Sequence, residues 1–76
     1  MEFFPGESVA VAPGAPVYSG HAEIIGRAAL PRARIVGARK SMITAGGEWF
    51  YAQPVAGPDD VLVGWIRERD LASLGF

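Results

Sequence analysis

The sequence predicts a small all-β protein, and three observations support this prediction. Ten glycines and six prolines are spread along the 76 residues and interrupt every apolar run before it reaches the length of a helix. The short runs between them are rich in residues that favour strands, and some alternate between apolar and polar side chains. One run, Glu48 to Gln53, holds three consecutive aromatic residues. Because a chain of this length can build only one core, we expect a single domain.

The first half of the chain contains the weaker strand signals. Ser8 to Ala12 is a short β-favouring run, and an extended path resumes at Pro16-Val17-Tyr18. His21 to Ile25 is polar at its start, which predicts a loop or one helical turn. Residues 27–30 and 32–38 are predicted to be strand segments, because apolar and basic side chains alternate along them.

The second half contains the strongest strand signals. Residues 41–45 continue the preceding strand or begin another, and Gly46-Gly47 predicts a turn. Glu48 to Gln53 is the strongest predicted strand, and Val61 to Ile66 is its expected partner. Residues 67–74 predict one short helical or 3₁₀ turn, because two leucines stand three positions apart. The predicted core consists of Ile35, Phe50, Ala52, Val63 and Ile66.

The composition excludes several kinds of site. The chain has no cysteine and a single histidine, His21, so it offers neither a disulfide framework nor a multi-histidine zinc site. The formal net charge of -1 gives no general attraction to phosphate backbones. Residues 27–45 carry five bases and no acid, whereas residues 1–26 carry three acids and no Lys or Arg. These charges either pair with one another on folding or give the protein a dipolar surface.

No residue pattern indicates catalysis. A hydrolase or transferase needs an activated nucleophile or a paired acid and base, and His21 is the only candidate base. No serine lies in a nucleophile motif. Asp59-Asp60 is too short an acidic segment for a hard cation, and Gly46-Gly47 lacks the lysine and helix of a phosphate loop. We therefore expect no enzymatic activity, no cofactor and no metal ion.

The apolar segments do not indicate export or membrane insertion. Residues 1–7 lack the basic and apolar regions of a secretory signal. No stretch approaches the roughly 20 apolar residues of a membrane span. The sequence therefore predicts a soluble protein without a membrane span, located in the cytoplasm or associated with a virus particle.

Six short motifs follow one another along residues 8–72. They are Val17-Tyr18-Ser19-Gly20, Ile25-Gly26, Ala28 to Val36, Gly47-Glu48-Trp49-Phe50-Tyr51-Ala52, Gly64-Trp65-Ile66 and Asp70-Leu71. Their order and spacing resemble those of the bacterial Src-homology-3 (SH3-type, or SH3b) domain family. The chain departs from the family pattern at Pro31-Arg32, where the family usually has a glycine in the turn. It also carries Arg67 and Asp70 where eukaryotic relatives have the proline and tyrosine that grip proline-rich peptides.

The resemblance implies a small SH3-like barrel of five or six short antiparallel strands, with one 3₁₀ or helical turn near the C-terminus. It assigns residues 1–7 to an N-terminal extension, 8–72 to the barrel and 73–76 to a C-terminal tail. Phe3-Phe4 is then expected either to pack across the bottom of the barrel or to dock into a neighbouring chain, and the same question applies to Leu74-Gly75-Phe76. Members of the family act as non-catalytic targeting or interaction modules, often for cell-wall peptides.

The aromatic residues predict a contact surface for a partner. Successive side chains of a strand point to opposite faces, so Trp49, Phe50 and Tyr51 cannot all point inward. Exposed aromatic rings either close the open end of a small barrel or contact a partner. We predict a protein partner or a larger assembly, of phage or cellular origin, and a homo-oligomer of this chain is one such assembly. The predicted partner-binding residues are Trp49, Tyr51, Trp65, Tyr18, Arg67 and Glu68.

Two other kinds of partner remain open. The family resemblance favours a peptide of the bacterial cell wall as the first alternative. The second is single-stranded nucleic acid, because small barrels bind it with aromatic rings and a basic groove. Trp49 and Tyr51 would supply the rings, and the bases would be Arg32, Arg34, Arg39 and Lys40. The acidic residues Glu48 and Glu68 count against this alternative, since they would repel phosphate.

Overall fold

A computed structural model describes residues 2–75 and shows eight short strands with a single 3₁₀ turn. The strands are β1 (Ser8–Val11), β2 (Pro16–Tyr18), β3 (Ile24–Arg27), β4 (Arg32–Ile35), β5 (Lys40–Ile43), β6 (Trp49–Ala56), β7 (Leu62–Arg67) and β8 (Leu71–Gly75), and the 3₁₀ turn is Glu68–Asp70. All the strand pairs are antiparallel. The predicted fold class, a small all-β protein with a barrel-like antiparallel sheet and one 3₁₀ turn near its C-terminus, is confirmed.

The long strand β6 holds the sheet together. The sheet runs in the order β3-β2-β7-β6-β4-β1-β8, and β5 also pairs with β6. One edge of β6 lies against β7, whereas the other is shared by β5 at its start and β4 at its end. Because a single strand serves two successive partners on one side, the sheet bends around an enclosed core.

The bent sheet separates two apolar clusters. The main core contains Val9, Ile35, Val55, Ile66 and Leu71, together with residues from β2 and the N-terminal segment. A smaller cluster on the other side of β6 consists of Tyr18, Met42, Phe50 and Ala52. All five predicted core residues thus lie in or against these clusters. Four of them are buried, and Val63 is half-buried against the main core.

Two strands lie where the sequence predicts none, which raises the number from the expected five or six to eight. Strand β3 overlaps the predicted loop His21 to Ile25, and its residues are all exposed, so no buried face produces an alternating pattern. Strand β8 lies in residues predicted to form a helical turn. The 3₁₀ turn occupies only Glu68–Asp70, after which the chain extends and pairs with β1.

Within residues 2–75, segments near both chain ends contribute to the sheet or its core. Phe3 is buried in the main core, and the Gly6 N–H donates to the Ile35 carbonyl at 2.7 Å, whereas Phe4 is exposed. Ser73 pairs with Val9 within β8. Leu74 is exposed, and Phe76 lies outside the described residues. Phe3 is therefore packed within the main core.

Glu7 joins the two chain ends through a buried carboxylate. Its Oε1 accepts a hydrogen bond from the Phe4 N–H at 3.0 Å, and its Oε2 accepts one from the Ser73 hydroxyl. These two hydrogen bonds, that of Ser73 first, lower the pKa of Glu7 from its ordinary value of 4.5, while burial acts in the opposite direction.

We expect Glu7 to make stability depend on acidity. Because the folded-state pKa lies below the unfolded value, the contribution is fully present above about pH 4.5 and is lost as the pH falls through the folded-state pKa. Urea unfolding from about pH 7 down to about pH 3 should therefore show a steeper loss of stability in the wild type than in Glu7→Gln. Glu2→Gln, which removes an exposed carboxylate, is the control and should follow the wild type. Parallel curves for the wild type and Glu7→Gln would show that this carboxylate makes no such contribution.

Candidate functional site

Trp49 and Tyr51 form an aromatic pair on one face of β6. Their ring centroids lie 4.8 Å apart, and the rings meet edge to face at 70°. Trp49 is 53% exposed, and Tyr51 is half-buried. The two residues are one position apart from the buried Phe50, so the alternation of the strand places them on the face opposite to that ring, as predicted.

Strand β5 extends this aromatic pair into a larger surface. Ile43 is the cross-strand partner of Trp49 and is 65% exposed. Ser41 is the partner of Tyr51, and its Oγ accepts a hydrogen bond from the indole Nε1 of Trp49 at 2.9 Å. We call Ser41, Ile43, Trp49 and Tyr51 the aromatic surface. The indole hydrogen bond and the ring contact fix its two largest side chains before any partner binds.

A series of polar contacts connects the aromatic surface to the 3₁₀ turn. The guanidinium carbon of Arg39 lies 3.7 Å from the centroid of the Tyr51 ring, in a cation–π arrangement. Arg39 Nη1 also lies 3.6 Å from Glu68 Oε1, and Glu68 Oε2 accepts a hydrogen bond from Gln53 Nε2 at 2.7 Å. Gln53 is buried, so it anchors the Glu68 carboxylate from inside the protein. Glu68 therefore neutralises Arg39 and holds it over the tyrosine ring.

Tyr18 and Trp65 were predicted to bind the partner together with Trp49 and Tyr51, but they do not belong to this surface. Tyr18 is only 3% exposed, and its ring packs against Phe50 with centroids 4.8 Å apart. It offers no contact area to a partner. Trp65 pairs with Pro54 across β6 and β7, so it lies on the same face as Phe50, opposite to Trp49 and Tyr51.

Trp65 is half-buried beside a lysine rather than stacked near Trp49. The Lys40 Nζ lies 5.6 Å from the centroid of the Trp65 ring and donates a hydrogen bond to the Gly20 carbonyl at 2.5 Å. The ring also packs against the smaller apolar cluster. Trp65 therefore helps to close that cluster.

The two charged residues predicted for the site face different neighbours. Arg67 has a side chain that is only 12% exposed, and its Nε donates to Asp70 Oδ2 at 2.9 Å. Its Nη1 lies 3.9 Å from Glu48 Oε2. The Nη1 of Arg69 lies at the same distance, 3.9 Å, from that oxygen. Arg67 is thus occupied by internal ion pairs. Glu68 supports the aromatic surface through Arg39.

Residues at other candidate sites have structural roles in the described chain. His21 lies in an exposed loop, where its N–H lies 3.2 Å from Ser19 Oγ. Asp59 Oδ1 accepts a hydrogen bond from the Val61 N–H at 3.2 Å and so caps a turn, while Asp60 forms an ion pair with Arg34. Within residues 2–75 no group of three or more His, Cys, Asp or Glu side chains is placed to hold a metal ion.

Sequence reasoning missed Ile43 and Ser41 as components of the site, and it named Arg39 for the nucleic-acid alternative alone. Ile43 and Trp49 are brought together by the β5–β6 hairpin. The register of this hairpin cannot be derived from the sequence of either strand alone. The signal that could have found them is the Gly46-Gly47 turn, which predicts a hairpin and therefore opposes the two strands.

Two further findings concern membrane-spanning helices and similarity to known proteins. Residues 2–75 contain no helix that has the length and apolar character needed to cross a membrane. Comparison of the chain with protein families, with curated proteins and with solved structures gives no match.

Proposed function

We propose that the protein is a non-catalytic interaction module that docks onto a protein partner through the aromatic surface, as a small subunit or accessory of a larger assembly. The observation that carries the proposal is the contact between the exposed Trp49 and the half-buried Tyr51, extended by the exposed Ile43 on the neighbouring strand. Apolar groups of this size at one place on the outside of a small domain are typical of a contact site.

The chemistry of the aromatic surface suits a protein partner. Tryptophan and tyrosine are enriched among the residues that contribute most to protein–protein binding. Trp49 is already held by Ser41, and Tyr51 by Arg39, so binding would sacrifice little side-chain freedom. A partner that presents an apolar side chain to these rings would gain affinity from preorganised groups.

The charges around the aromatic surface favour a polar rim of mixed sign. Arg39 is balanced by Glu68, and the exposed Glu48 lies within 3.9 Å of both Arg67 and Arg69. Such a rim gives specificity for a partner with complementary charges rather than general attraction to a polyanion. It favours a protein over single-stranded nucleic acid.

Membership of the SH3b family is part of the same proposal. Three features support it: the sheet is strongly bent, a 3₁₀ turn stands between the last two strands, and Gly64-Trp65-Ile66 lies in β7. We also propose that the protein has its assembly role in the cytoplasm or in a virus particle, and that it catalyses no reaction.

Site-specific crosslinking in the native cell tests the docking surface. A photoreactive residue at position 43 should capture one discrete protein, whereas the same residue at position 74, which is exposed at the far edge of the sheet, should not. Trp49→Ala should reduce the yield from position 43 strongly, because truncation of a central aromatic residue costs about 2 kcal/mol or more of binding, roughly 30-fold in affinity. Thermal unfolding of Trp49→Ala serves as the folding control.

Three outcomes would contradict the proposal. They are equal crosslinking from positions 43 and 74, a yield that Trp49→Ala does not change, and a failure to capture protein from position 43. Sedimentation with purified cell walls that is lost in Trp49→Ala would replace the proposal with the cell-wall alternative. Binding to oligonucleotides that weakens steeply with salt would replace it with the nucleic-acid alternative.

A further inference from the structure

Strand β3 is an exposed strand at one end of the sheet. Within residues 2–75 it pairs with β2 alone, and all four of its residues are exposed. Ile24 is 55% exposed and Ile25 is 60% exposed, so two adjacent branched apolar side chains face solvent on a strand that has an open edge. Open edges with apolar residues favour pairing with another strand.

Opposite charges flank the two isoleucines. Glu23 precedes β3, and Arg27 is its last residue. Both are exposed, and among residues 2–75 neither side chain takes part in an ion pair within 4.0 Å. The two charges lie two positions on either side of Ile25. The pattern is therefore acid, apolar centre, base along one short edge.

We propose that β3 pairs with β3 of a second copy of this chain, antiparallel and about a two-fold axis near Ile25. In this arrangement Glu23 of each copy lies opposite or diagonal to Arg27 of the other, because the two positions are equally far from the axis. Ile25 of one copy then faces Ile25 of the other. A two-fold interface uses the same residues on both copies, and this edge is complementary to itself.

The other open edges of the sheet lack this complementarity. Strand β8, at the far end, has no charged residue. Strand β5, whose one partner in the described part of the chain is β6, carries Lys40 and no acid. Among the edge strands of residues 2–75, β3 is the one that carries both signs of charge around an apolar centre. This difference identifies a second copy, rather than an unspecified peptide, as its occupant.

The geometry of β3 sets the strength of the pairing. Its register with β2 shifts between Val17 and Tyr18, and Ile25 is the residue left without a partner. Such a bulge increases the local twist, so that only a few residues of each copy can pair. The contact is therefore smaller than a standard interface, and we expect a weak dimer with a Kd on the order of 10 μM to 1 mM.

The dimer surface is separate from the aromatic surface. Strands β2 and β7 lie between β3 and β6 in the sheet. Substitutions on β3 should leave crosslinking from position 43 intact, and Trp49→Ala should leave dimerisation intact. Failure of one proposal can therefore be distinguished from failure of the other.

Charge reversal and complementation test the pairing by sedimentation over protein concentrations up to about 1 mM. The wild type should dimerise. Glu23→Arg and Arg27→Glu should each weaken their own dimers by about tenfold or more, since two attractive pairs become repulsive. An equimolar mixture of the two variants should recover dimers, because Arg at position 23 of one chain then meets Glu at position 27 of the other. Arg69→Glu reverses an exposed charge elsewhere and should have no effect.

Each contrary result would overturn the proposal. A wild type that stays monomeric throughout the concentration range removes the dimer. Dimers that are unaffected by both reversals place the interface elsewhere. Weakened variants whose mixture does not recover dimers show that Glu23 and Arg27 do not pair across the interface. Thermal unfolding of the wild type and of each variant shows whether the protein is folded in these measurements.

Discussion

Replacement of Ile66 by alanine is expected to lower the free energy of unfolding by about 2–5 kcal/mol, the range for truncation of a buried isoleucine. Ile66 is 1% exposed and belongs to the main core, next to residues of β1, β4, β6 and β8. The cavity would therefore lie where most of the sheet meets. A 76-residue domain typically has only about 4–11 kcal/mol of stability, so the variant should be close to unfolding.

The same chemical change at an exposed position provides the matched control. Ile43→Ala removes the same three carbons from a side chain that is 65% exposed, and it should lower stability by no more than about 1 kcal/mol. Urea unfolding should show a lower midpoint for Ile66→Ala with an unchanged slope. Similar losses in the two variants would contradict the position of the core.

Replacement of Gly64 by alanine is expected to cost about 2–6 kcal/mol, the sum of backbone strain and overpacking. Gly64 has a backbone φ of 147°, which residues other than glycine rarely adopt. A Cβ there would lie 2.7 Å from Val17 Cγ1 and 2.9 Å from the Tyr18 carbonyl oxygen. The carbonyl belongs to the backbone of β2, so the β2–β7 pairing itself would have to shift. The absence of a Cβ therefore allows β2 to lie close to β7.

Gly46→Ala is the control for the second prediction. Gly46 has no positive φ, and the nearest atom to a Cβ at this position is Thr44 Oγ1 at 3.8 Å, an ordinary contact. Its substitution should change stability by no more than about 1 kcal/mol. Thermal unfolding of the two variants provides the comparison. Equal melting temperatures for Gly64→Ala and the wild type would contradict the close approach of β2 to β7.

The parts of the fold that the sequence predicts are those with strong local signals. The aromatic run of β6 and the alternation around Ile35 depend on a buried face that leaves a period of two in the sequence. The 3₁₀ turn after Ile66 is likewise a local feature. Strand β3 has no buried face, and β8 places Leu71 inward and Leu74 outward, so neither gives a clean alternation. Pairing with β2 and β1 determines these strands.

The candidate site divides in the same way. The exposure of Trp49 and Tyr51 follows from the alternation of one strand, which the sequence contains. The burial of Tyr18 depends on Phe50, which lies on a distant strand, and the position of Trp65 depends on the register of β7 with β6. These long-range pairings cannot be inferred from the spacing of residues in the sequence. The sequence-based prediction therefore assigned four aromatic rings to one site, whereas the structure separates them into two pairs on opposite faces.

Hydroxyl-radical footprinting of the protein, purified and within the assembly isolated from its native cell, tests the central claim most directly. We predict that Trp49 and Tyr51 are oxidised readily in the purified protein and are protected in the assembly. Tyr18 and Phe50 should react slowly in both states because they are buried, and Leu74 should react equally in both. Equal oxidation of Trp49 and Tyr51 in the two states would show that the aromatic surface is not where the protein docks.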